Sequence, residues 1–140
     1  MSAPLYNVDI LRLAASIPHH RRLPDAQASV EKRSPVCGSR VMADVRMDGG
    51  KLADIGLEVR ACALGQASAA LMASHAIGLS AAELALARDR LAAYLSGEAD
   101  DLDFWPGLAV LAPARDYPAR HASIRLGFEA IAEAARMADA

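Results

Sequence analysis

Aromatic residues are scarce in this chain: two Phe, three Tyr and one Trp, 4% of 140 residues. Alanine therefore carries much of the 54% hydrophobic content, a composition that excludes disorder and favours closely packed helices. Cysteine is scarce too, and two thiols cannot staple a disulfide framework. Neither sign of charge dominates, with 15 Lys and Arg against 17 Asp and Glu. A net charge of -2 and a pI near 6.0 leave no electrostatic footprint for nucleic acid or an anionic membrane. No basic stretch leads into an apolar run at the start, where Asp9 interrupts, so a secretory signal is not expected and a reducing cytoplasm is. Residues 61–82 lack Asp, Glu, Lys and Arg but include Gln66, Ser68, Ser74 and His75, which predicts a buried helix and a turn, not a membrane span. The length fits one domain over residues 1–140.

Periodicity supplies the organisation. Ile10, Leu13, Ala14 and Ile17 have helical spacing within residues 5–17, and a short strand is expected over residues 28–33. Val41, Ala43, Val45 and Met47 alternate with polar neighbours, as do Ala53, Ile55, Leu57 and Val59. Between them stands Asp48-Gly49-Gly50-Lys51. Period two on both sides of a Gly-Gly turn predicts an antiparallel hairpin with one buried face. Leu64, Ala67 and Leu71 then mark a helix that ends near Gly78. Ser80-Ala81-Ala82-Glu83 is a capping box for a second helix that stops at Gly97. Residues 98–116 read as an acidic, then apolar connection. Pro118 opens a last helix with the stripe His121, Ile124, Phe128, Ile131 and Ala135. The expected class is α+β, a small antiparallel sheet of about three strands with helices packed on one face.

Register gives the two cysteines their interest. Apolar must face apolar across the hairpin, which leaves two alignments. One pairs Val41 with Val59, Ala43 with Leu57, Val45 with Ile55 and Met47 with Ala53, and sets Cys62 opposite Gly38. The other pairs Val45 with Ala53 and sets Cys62 opposite Val36. Either puts Cys37 and Cys62 within one residue of facing each other at the open end of the hairpin. Cys62 falls where strand becomes helix, so unpaired helix N–H groups favour a thiolate there. Two readings remain open for the pair: a shared metal or sulfur-handling site, or two small buried hydrophobes.

Three motifs carry a family resemblance. Ser34-Pro35-Val36-Cys37-Gly38 resembles the Asn-Pro-x-Cys-Gly-Asp loop of the NifU/IscU iron–sulfur cluster assembly scaffolds. Cys62-Ala63-Leu64-Gly65-Gln66-Ala67-Ser68-Ala69 is similar to the second cysteine motif, particularly of the SufU-type branch. Tyr117-Pro118-Ala119-Arg120 looks like the Phe-Pro-Ala-Arg run that leads to the third cysteine. The resemblance runs in order over residues 5–135 and implies a NifU/IscU-like fold. It also implies zinc or an iron–sulfur cluster at one site per chain, a cysteine desulfurase as sulfur donor and downstream cluster acceptors as partners. Two positions depart from the pattern. The acidic residue after the first cysteine is Ser39, and the third cysteine falls at Ser123. The implied ligand set is reduced to Cys37 and Cys62, with His121 as candidate third ligand. Two thiolates and a neutral imidazole balance a divalent cation.

Other readings stand beside these. His121 also suits a partly buried histidine capping the core. His19 and His20 fall in a loop and read as solvated. Phe104-Trp105 reads as a core seal or a docking patch. Asp100, Asp101 and Asp103 lack the glycine and distal Glu of a calcium loop. Two rival functions follow from the departures: a divergent paralogue with structural zinc or no metal that serves as a protein-binding module, and a thiol enzyme using His121 as base. The expectation is a non-enzymatic scaffold or sulfur acceptor.

Overall fold

The computed structural model describes residues 6–35 and 38–139. Helix α1, Val8–Ala15, starts where the Asn7 side chain accepts from the Ile10 N–H at 3.0 Å. Strands β1 (Ala28–Arg33), β2 (Arg40–Asp48) and β3 (Lys51–Arg60) follow. They form an antiparallel sheet in the order β1-β2-β3. Helices α2 (Ala63–His75) and α3 (Ala81–Ser96), a 3-10 helix (Leu108–Asp116) and α4 (Pro118–Ala138) complete the chain.

The hairpin follows the first predicted alignment along most of its length: Val41 faces Val59, Ala43 faces Leu57 and Val45 faces Ile55. The expected pair Met47–Ala53 does not form. Gly49 and Gly50 both have positive φ, 61° and 79°, and close a two-residue turn that sets Asp48 against Lys51 and Met47 against Leu52. That turn and the apolar pattern beyond it differ by one residue. The sheet absorbs the difference as a bulge between Arg46 and Met47, which turns Ala53 outward and buries Leu52.

Val41, Ala43, Val45, Ile55 and Leu57 form the sheet's side of the core, and α4 crosses β1 and β2 above them. The α4 stripe is buried at Ile124, Phe128, Ile131 and Ala135, and Lys32 on β1 holds Glu133 at 2.6 Å. Helix α2 is buried nearly all round, between α1, α4 and the sheet, as its uncharged sequence predicts. The capping box at Ser80 and Glu83 is formed in both directions, and Gly97 ends α3 with φ 88°. No helix among the described residues is long and apolar enough to cross a membrane.

The outward edge of β3 is closed mostly by other parts of the chain. The Leu52 N–H donates to Leu79 O at 2.8 Å and Leu57 to His19 O at 2.9 Å, while Ile55 donates to the carboxylate of its own neighbour Asp54 at 2.8 Å. The Val59 N–H donates to His20 Nε2 at 3.3 Å. His20 is exposed, as expected of a loop residue, and His19 is partly buried; both also occupy N–H donors on the open edge of the sheet. Trp105 is 4% exposed, donates from Nε1 to Leu71 O at 2.9 Å and stands edge-on to Phe128. Of the two aromatic readings, the core seal is the one the packing supports.

Candidate functional site

Cys62 occupies the N-cap of α2, with extended backbone, at the point where β3 gives way to the helix. Its thiol is partly exposed and makes no capping bond. The sulfur lies 3.4 Å from Ser123 Oγ, in the second turn of α4. Ser123 Oγ in turn lies 3.2 Å from Ser39 Oγ, at the entrance to β2. Ser123 and Ser39 are 1% and 4% exposed, so the two hydroxyls form a buried floor beside the partly buried Cys62. Gly65 makes this contact possible. A Cβ there would sit 2.4 Å from Ser123 Oγ and 2.8 Å from Ala61 Cβ.

The Ser34 N–H donates to Ser39 O at 2.8 Å and ties the ends of the segment between β1 and β2. That segment contains Cys37, which lies outside the described residues. His121 is placed differently from Ser123. Its Nε2 lies 2.9 Å from Arg115 O and 3.2 Å from Ala114 O, at the end of the 3-10 helix. Contact with two carbonyls makes Nε2 the protonated nitrogen and leaves the lone pair on Nδ1. Residues two apart on a helix project to different sides, so the turn that sends Ser123 toward Cys62 sends His121 toward the 3-10 helix. Among the described residues, no three His, Cys, Asp or Glu side chains gather as a metal-holding group. His75 ends α2 beside Trp105, away from Cys62.

One ionic cluster gave no signal in the sequence. Asp44 alternates outward on β2, where a solvated carboxylate is the ordinary expectation, yet it is 0% exposed. Arg22 binds it through Nε at 2.7 Å and Nη2 at 3.1 Å. The Leu23 N–H donates at 2.8 Å and Ser29 Oγ at 2.6 Å. The cluster pins residues 19–23 as a strap across the outer face of the sheet, next to the strand that leads to Cys62. Burial pushes the Asp44 carboxyl up, but the bonds from Arg22, Ser29 and Leu23 outweigh it and hold the group below its ordinary range.

No protein-family model and no curated protein matches the chain. Solved structures do. The chain is 38% identical to the N-terminal part of a nitrogen-fixing NifU-like protein from Brucella abortus, with a TM-score of 0.87 over 95% of this chain and 93% of that one. A scaffold protein for iron–sulfur cluster assembly in the SUF system of Fervidobacterium islandicum AW-1 superposes with a TM-score of 0.86 at 22% identity, covering 93% and 96% of the two chains. A hypothetical protein superposes at 0.74 and 23% identity, covering 91% and 94%. The latter two share the fold. Identity and coverage against the Brucella protein go further, and the chain belongs to the NifU-like family.

Proposed function

We propose that this chain is an iron–sulfur cluster assembly scaffold of the NifU/SufU kind. In this reading it holds zinc or a nascent cluster between Cys37, Cys62 and His121, in the cytoplasm. A cysteine desulfurase supplies the sulfur and downstream proteins accept the product. The observation that carries the reading is the convergence of Cys62, Ser123 and Ser39. These are the positions that motif comparison assigns to the second cysteine, the third cysteine and the acidic residue. They come from three separate elements to within 3.4 and 3.2 Å of one another. In this reading the site keeps its shape, with hydroxyls at two of its positions.

The donor chemistry fits a thiolate-bound metal when Cys37 supplies the second sulfur. Serine hydroxyls are poor partners for zinc or iron beside thiolates, so Ser39 and Ser123 stay outside the ligand set. His121 joins by leaving the carbonyls of Ala114 and Arg115 and turning from the 3-10 helix toward Cys62. With two sulfurs and one nitrogen, the fourth position is left for water, an incoming thiol or a partner's side chain, and such a vacancy is what transfer requires.

Anaerobic reconstitution with iron and sulfide tests the proposal. The expected result is visible-region absorbance with iron and acid-labile sulfide bound, lost in Cys37→Ala and Cys62→Ala. The two serines also motivate a second reading, a paralogue that keeps the fold for protein binding and holds structural zinc or no metal. Absent cluster absorbance together with stable desulfurase binding would favour that reading.

A further inference from the structure

We infer that Ser123, backed by Ser39, is a positioning residue that donates a hydrogen bond to the Cys62 sulfur when that sulfur is a metal ligand. The inference rests on the proposal that Cys62 is such a ligand, and it follows from where the protons can lie. A serine hydroxyl has one proton and two lone pairs. In the metal-free chain the Cys62 S–H can donate to Ser123 Oγ across 3.4 Å while Ser123 donates to Ser39 across 3.2 Å. A ligating sulfur has no proton. If Ser123 kept its proton on Ser39, its oxygen lone pair would face a sulfur anion with nothing between them.

Ser123 is 1% exposed and Ser39 4%, and a Cβ at Gly65 would collide with Ser123 Oγ, so the Ser123 hydroxyl is held among protein atoms and not in solvent. Turning the Ser123 proton toward Sγ removes the clash between lone pair and sulfur anion, with Ser39 Oγ 3.2 Å behind Ser123 Oγ as the second hydroxyl of the chain. The serines then act on the metal through the sulfur, without touching it. Hydrogen bonds to ligating groups change metal affinity by about ten- to a hundredfold.

The test uses the full chain loaded with Co(II), whose sulfur-to-cobalt charge-transfer band reports the electron density on the thiolate. Ser123→Ala should move the band to lower energy and weaken Co(II) binding about tenfold or more. Ser39→Ala should move it in the same direction by less. Both changes only remove a hydroxyl and spare the packing. In the metal-free chain, the Tm losses of Cys62→Ala and Ser123→Ala should be non-additive. Band energies equal to wild type in both variants would overturn the inference. So would loss of a coordinating atom in Ser123→Ala alone, which would make Ser123 a ligand. Failure of the scaffold proposal looks different: the wild-type chain itself would give no sulfur-to-cobalt band, and the inference would fall with it.

Discussion

Arg22 grips Asp44 with two nitrogens, at 2.7 and 3.1 Å, and the carboxylate it holds is shut off from solvent. The pair joins the strap to the sheet, and its strength depends on Asp44 being ionised. Because the folded chain holds Asp44 below its ordinary range, the contribution is fully present above the unfolded carboxylate value of about 4. It is lost as the pH falls through the lower folded value. Arg22→Ala removes one of the lowering influences, so its acid unfolding should begin at higher pH than wild type. Asp44→Ala leaves the Leu23 N–H and Ser29 hydroxyl without their acceptor and should cost roughly 2–4 kcal/mol at neutral pH. Denaturant titrations across the acid range check both, and superimposable acid limbs for wild type and Arg22→Ala would contradict the first.

The strap also depends on an absence. A Cβ at Gly56 would stand 2.6 Å from Arg21 O and 2.7 Å from Leu23 N, both backbone atoms with little freedom to move. Gly56→Ala should therefore lift the strap and cost roughly 1–3 kcal/mol. Hydrogen exchange should quicken at Leu57 and Val59, whose N–H groups donate to His19 and His20, more than at Ala43 in the central strand. Equal acceleration at all three would mean that the strap does not guard the edge.

How far these features were legible in the sequence depends on the range of the forces behind them. The hairpin, the capping box at Ser80 and Glu83 and the stripe on α4 are local patterns, and all are present. The bulge was not legible, because Leu52 and Ala53 are both apolar and either can face inward. The two-residue turn at Gly49 and Gly50 brings Leu52 inward, and a remote segment, Gly78 and Leu79, bonds its backbone there. Asp44 was missed for the same reason: its burial comes from a strap whose sequence reads as an exposed loop. The 3-10 helix over Leu108–Asp116 contains Pro113 and reads as a connection, yet its last carbonyls determine where His121 lies. At the site, the motifs named Cys62, Ser39 and Ser123 as related positions. The distances between them are a property of the folded chain.

Trp105 is the chain's single indole, and its Nε1 donor reaches Leu71 O inside α2. Trp105→Phe keeps a ring against Phe128 but removes the indole bond that Leu71 O accepts beside its place in the α2 ladder. The expected loss is about 1–2 kcal/mol, read from thermal or denaturant unfolding. An unchanged midpoint would show that the indole bond adds nothing to the stability of the core.

The central claim concerns what Cys37, Cys62 and His121 hold together, and X-ray absorption at the metal edge of the purified or zinc-reconstituted chain addresses it most directly. The account predicts about one metal per chain with two sulfurs near 2.3 Å and a nitrogen near 2.0 Å. Cys62→Ala should reduce the sulfur shell or strip the metal. A chain that takes up no metal, or takes it up with an oxygen-only shell indifferent to Cys62→Ala, would contradict it.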